Sequence, residues 1–158
     1  MPQKVCGDRM TLTRRDITEL LARHGLEPSR ALGQNFLADP NTVRRIVRLA
    51  CIDASSNVVE IGPGVGSLTA ELAATGANVV AVELDRHLLP VLAETVEPLG
   101  VRVVHGDALE LDWGQVLSAE KQWHLVANLP YNVATTIVLD LLDDVPQIET
   151  MLVMVQRE

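Results

Sequence analysis

A chain of 158 residues with 47% hydrophobic side chains is long enough for one domain with a buried core. No apolar run approaches the roughly 20 residues that a membrane helix needs, the start "MPQKVCGDRM" lacks the apolar core of a secretion signal, and two cysteines without metal-ligand spacing build neither a disulfide framework nor a metal centre, so a cytoplasmic protein with no membrane or metal partner is expected. The net charge of −8 argues as a total against nucleic acid, yet residues 1–50 hold nine Lys or Arg against five acids and residues 51–158 hold four against sixteen, so a basic surface near the start remains available.

Residues 1–10 read as a disordered tail and residues 11–158 as one domain. "TLTRRDITELLARHG" predicts an amphipathic helix capped by Thr13, with Ile17, Leu20 and Leu21 as its stripe and Gly25 as its end. After the loop "LEPSRALGQNFLA", the segment "DPNTVRRIVRLA" opens a second helix with Asp39 as cap, Pro40 in its first turn, and Val43, Ile46, Val47 and Ala50 on one face. From residue 57, the runs "NVVEIG", "NVVAVEL", "VRVVHG", "WHLVAN" and "TMLVMVQ" alternate with "SLTAELAATG", "RHLLPVLAETVEPLG", a short "WGQVLSAEK" and "TTIVLDLLDD". Continuous apolar strands separated by helices predict an open, doubly wound α/β sheet, mainly parallel, with right-handed crossovers. The chain stops at "VQRE", just past the fifth strand, which is expected to leave the sheet incomplete.

"VVEIGPGVGSLT" sets Gly62, Gly64 and Gly66 between a strand and a helix, where glycines permit a tight turn and the helix start offers free N–H groups. Glu83 ends the next strand, 21 residues past Gly62, where an open α/β fold places an acid against ribose hydroxyls. A dinucleotide turn wants a small third residue at the position held here by Ser67, and Glu60 lies two residues ahead of the first glycine. A carboxylate there is costly to bury unless it meets a donor, which favours S-adenosylmethionine, with its ammonium and sulfonium, over NAD. Asp107, at the end of the third strand, taken singly reads as a turn or cap residue; beside Glu83 and the glycines it can accept from an adenine amine.

The fourth strand leads into Asn128, Leu129, Pro130 and Tyr131. An exocyclic adenine amine is a poor nucleophile because its lone pair is delocalised. The Asn128 side-chain oxygen and the Leu129 carbonyl can accept its two hydrogens and favour a pyramidal nitrogen, Pro130 can hold the carbonyl's direction, and Tyr131 can stack on an extruded base. An isolated N-x-P-Y would read instead as a turn with a packed tyrosine. Trp113 and Trp123 are expected to pack in the core, and His24, His87, His105 and His124 to lie on surfaces or strand ends.

In order and spacing, "LGQNFL", "VVEIGPGVGSLT", "VVAVELDR", "HGDALELD" and "NLPYNVATTIV" resemble the ribosomal RNA adenine N6,N6-dimethyltransferases, from about Leu32 to Glu158. "LGQNFL" and "NLPY" are more similar to the small-subunit enzymes, linked to kasugamycin sensitivity, than to the large-subunit enzymes of erythromycin resistance. The resemblance implies a Rossmann-like S-adenosylmethionine-dependent methyltransferase fold acting on two adjacent adenines near the 3' end of 16S RNA, within a 30S particle or its precursor, with no metal. It implies that Gln34, Asn35 and Leu37 cover the methionine part of S-adenosylmethionine and that Gly62 sits at its methionine end. Glu83 falls on the ribose, Asp107 on the adenine amine, and Gly64, Ala108 and Asn128 complete the cofactor set. Asn128, Leu129, Pro130 and Tyr131 meet the target base. Arg14, Arg15, Arg44, Arg45 and Arg48 are expected to touch RNA phosphates. The family continues beyond "VQRE" with further sheet and a helical RNA-binding domain, so the sequence is similar to an N-terminal piece. The alternatives are a nucleic-acid-binding module without methyl transfer and a large-subunit enzyme.

Overall fold

The computed structural model describes residues 11–27 and 37–155. The expected tail at 1–10, with Gln34 and Asn35, lies outside the described residues. Helix α1 (Arg14–Arg23) begins in a capping box: the Thr13 hydroxyl accepts from the Asp16 N–H, and the Asp16 carboxylate accepts from the Thr13 N–H at 2.8 Å. Helix α2 (Pro40–Leu49) starts as its sequence demands, with Asp39 accepting from the Asn41 N–H at 3.1 Å and proline where no donor is needed.

Strands β1 (Asn57–Ile61), β2 (Asn78–Glu83), β3 (Arg102–His105), β4 (Trp123–Leu129) and β5 (Ile148–Val155) then alternate with helices α3 (Ser67–Ala74), α4 (Leu89–Thr95), α5 (Trp113–Val116) and α6 (Tyr131–Asp144). The sheet order is β3-β2-β1-β4-β5 and every pairing is parallel, the doubly wound arrangement expected. Because successive strand residues face opposite ways, the central strands feed two cores. Val58, Val79, Ala81 and Val126 pack with α2, α3 and α4. Val59, Val80, Val82, Leu125 and Leu129 pack with α6 and with Trp113 and Trp123, both buried as expected. A third, smaller cluster joins Ile17, Leu20 and Leu21 of α1 to Val65, Leu88 and Val91.

Two elements differ from the sequence expectation. "RHLLPVLAETVEPLG" is not one helix: α4 is flanked by 3-10 turns at Arg86–Leu88 and Glu97–Leu99. Pro98 cannot donate to the carbonyl of Glu94, and the chain leaves helical geometry at Val96, φ −125°. Helix α6 starts earlier than "TTIVLDLLDD", with Pro130 as its cap residue and Tyr131 as its first helical residue.

Gly66 caps α3 at φ +92°, and a Cβ there would lie 2.5 Å from Val96 Cγ1 and 3.0 Å from Thr95 Oγ1. Gly25, at φ +67°, has open space around it. Gly66→Ala should therefore lose about 2–4 kcal/mol of unfolding free energy and Gly25→Ala only about 1, since the second carries backbone strain alone. Urea unfolding of the two variants checks this; equal losses would show that the Val96 contact relaxes freely.

Candidate active site

β1 leads by α3 toward β2 and β3 on one side, while β4 leads by α6 to β5 on the other. The recorded β1–β4 ladder stops at Val58–His124 and Val59–Leu125, before either strand ends. Crossovers departing in opposite directions leave a crevice at the carboxyl ends of the strands, the usual ligand position in open α/β sheets. A cleft of about 510 Å³ opens there.

The glycine turn forms its floor. Gly62, Gly64 and Gly66 all take positive φ, and the Gly62 N–H donates to the Val82 carbonyl at 2.9 Å. A Cβ on Gly62 would lie only 3.9 Å from the Asn128 carbonyl oxygen. The turn after β1 and the start of the Asn128–Tyr131 stretch are therefore neighbours.

Strand alternation aims two carboxylates at the side of the sheet where α3 starts. Glu60 shares the facing of Val58, and Glu83 that of Val79 and Ala81. Glu60 is 2% exposed, and its Oε2, with the buried hydroxyls of Ser67 and Thr69, has no hydrogen-bond partner among the described residues. Burial pushes the Glu60 carboxyl up to about 8; the nearby Thr69 hydroxyl favours the charged form without closing a hydrogen bond, and the Glu83 charge adds to the rise. Glu83 is also raised by burial, opposed by the Asp85 N–H at 2.8 Å and the Gly64 N–H at 3.3 Å, which donate to its two oxygens.

At the end of β3, the Asp107 carboxylate accepts from the Leu109 N–H at 2.9 Å, the turn role expected of a lone Asp, while it also lines the cleft. The Trp113 indole donates to the Ala108 carbonyl at 3.1 Å and pins this loop. Leu37, Gly62, Gly64, Glu83, Asp107, Ala108, Asn128, Leu129 and Pro130 thus line one cleft. Tyr131 does not line it; as the first residue of α6 it is 69% exposed. Sequence reasoning missed Ser67 and Thr69 as neighbours of Glu60, and Leu84 and Leu109, exposed apolar residues lining the cleft beside Glu83 and Asp107. A leucine one or two residues after a strand-end acid was the available signal for the last two.

Residues 26–158 match the family model described as ribosomal RNA adenine dimethylase. The chain belongs to this family. Among dimethylase relatives, the ribosomal RNA small subunit methyltransferase A of Leifsonia xyli is 48% identical over 150 residues, which cover 91% of this chain and 51% of that protein. The protein of the same name from Enterococcus faecalis is 44% identical over 145 residues, covering 89% and 49%. The crystal structure of the 23S rRNA methyltransferase ErmE superimposes with a TM-score of 0.67 at 32% identity, covering 77% of this chain and 48% of that one. The chain therefore spans about half the length of the curated dimethylase relatives it matches.

The raised Glu60 carboxyl has a consequence for stability. Between its ordinary value of 4.5 and about 8, the folded chain holds a proton that the unfolded chain has released. This contribution to stability is whole below 4.5 and is lost as pH rises toward 8. Glu60→Gln should remove that decline and be more stable than the parent at pH 8 by a few kcal/mol. Urea midpoints at pH 5 and pH 8 measure it, and parallel pH dependence in the two proteins would contradict the burial of an unpaired carboxyl.

Proposed function

We propose that the cleft binds S-adenosylmethionine, and that the chain carries the methyl-transfer half of an enzyme dimethylating two adjacent adenines near the 3' end of small-subunit ribosomal RNA. One observation carries the reading. A buried Glu60 whose Oε2 has no hydrogen-bond partner among the described residues, a glycine turn and the Asn128–Pro130 segment line the same cleft. A cationic ligand would supply the partner that Glu60 Oε2 lacks among the described residues, and S-adenosylmethionine brings an ammonium and a sulfonium, so the residues present fit this cofactor.

Glu60 and the glycine turn would hold the amino-acid end, Glu83 the ribose, and Asp107 with Ala108, Leu84 and Leu109 the adenine. Gln34 and Asn35 join this set through the family motif alone. The bound cofactor supplies a methyl group activated by its sulfonium. The chain's own work is orientation: the Asn128 side-chain oxygen and Leu129 carbonyl accept the hydrogens of the target amine, which localises its lone pair. Pro130 holds the turn out of β4, and Tyr131, exposed on the first turn of α6, presents a face on which an extruded adenine stacks.

Small-subunit rather than large-subunit RNA is supported by identity, 44–48% to relatives named for the small subunit against 32% to the 23S enzyme. The substrate would be a 30S particle or its precursor, and the setting the cytoplasm. Among the described residues, no helix is long and apolar enough to cross a membrane, and no group of three or more metal-ligating side chains occurs.

Calorimetry should show S-adenosylmethionine binding and no NAD binding, with Glu83→Ala weakening the former at least tenfold. Asn128→Ala should lower transfer of labelled methyl to unmethylated 30S particles by 10²-fold or more, with a far smaller loss of cofactor affinity. Full transfer by Asn128→Ala, or binding of NAD in place of S-adenosylmethionine, would overturn the assignment.

A further inference from the structure

The charge division of the sequence acquires a direction in the fold. Arg44, Arg45 and Arg48 stand at i, i+1 and i+4 on α2, whose Val43, Ile46 and Val47 are buried, so the three guanidiniums share its exposed face. Acids facing them are few and mostly engaged. Glu71 of α3 is 3.8 Å from Arg44; Asp39 accepts from Asn41 and Thr42, and Asp53, beyond the far end, accepts from Ser55 and Ser56. No described acid lies within ion-pair distance of Arg45 or Arg48. On α1, by contrast, Arg15 and Arg23 are paired with Glu19 at 2.8 Å and Glu94 at 2.7 Å. Of the five arginines expected from sequence, the three on α2 share one exposed face.

Helix α2 begins beside the cleft, since Leu37, three residues before Pro40, lines it. At 1.5 Å per residue, the three arginines lie about 6–12 Å along α2 from that end. Helix α6 also begins at the cleft but packs on the opposite face of the sheet, and carries exposed Asp140, Asp143 and Asp144 about 14–20 Å from its start. A polyanion entering the cleft therefore meets attraction on the α2 side and repulsion beyond α6.

We propose that the Arg44–Arg45–Arg48 face of α2 is the docking surface for the RNA phosphates flanking the target adenine, so that the backbone leaves the cleft over α2 and away from the acidic end of α6. This rests on the RNA-methylating reading of the cleft. It is tested with an unmethylated small-subunit RNA transcript, its affinity for the chain followed across salt concentrations. Removing two phosphate contacts by Arg45→Ser with Arg48→Ser should cut affinity roughly tenfold at low salt and make the log–log salt slope shallower by about 1.5. The double Lys variant should retain the slope, because the contact is one of charge, and Asp140→Ser with Asp144→Ser should not weaken binding. An unchanged slope in the Ser variant, with S-adenosylmethionine binding intact, overturns the docking surface alone. Failure of the parent chain to bind S-adenosylmethionine overturns the reading of the cleft itself.

Discussion

Much of this structure is arranged around the buried carboxyl of Glu60, whose Oε2 has no hydrogen-bond partner among the described residues. A strand interior is a costly place for Glu60, because burial strips its water and leaves Oε2 without a hydrogen bond from any described group. The cost makes sense if the site awaits a cation: the free chain keeps Glu60 neutral by holding a proton, and a bound ammonium allows it to ionise. Ser67 and Thr69, equally buried and unpaired at the start of α3, leave donors within the same corner. The polarity of the turn is thus built in before any ligand arrives, which is what electrostatic preorganisation requires.

The rest of the fold holds that corner against the Asn128–Pro130 segment. Parallel pairing through β3-β2-β1-β4-β5 brings four loops to one edge, and reversal of strand order between β1 and β4 keeps the crevice open. Two cores, one on each face of the sheet, fix the strands that carry Glu60, Glu83, Asp107 and Asn128. The glycine turn and the end of β4 are neighbours, a Cβ on Gly62 lying 3.9 Å from the Asn128 carbonyl oxygen. A side chain at Gly62 would be strained by its φ of +71°, a conformation other residues rarely adopt, and not by lack of space.

Most of this was legible because local signals agreed with the global fold. Thr13 with Asp16, and Asp39 with Pro40, announce helix starts through the bonds they go on to make. The β-rich runs are continuous because both sheet faces are covered, and their acids and glycines stand at strand ends because the order of elements puts them there. The passage from β4 to α6 was less legible: the strand runs through Leu129, Pro130 caps the helix without a side-chain acceptor, and no N-cap residue type marks the boundary. Tyr131 consequently faces outward on a helix instead of lining the cleft. Ser67, Thr69, Leu84 and Leu109 fall inside the quoted motifs, but their residue types alone assign them no role beside the acids.

The central claim is that Glu60 is held neutral by burial and released by a cationic ligand, and it can be read at one atom. Carbon-13 NMR of the Glu60 side-chain carboxyl, titrated with and without saturating S-adenosylmethionine, should give a pKa near 8 in the free chain and a value at least one unit lower in the complex. An ordinary carboxyl value in the free chain, or a raised value untouched by the bound cofactor, would contradict it.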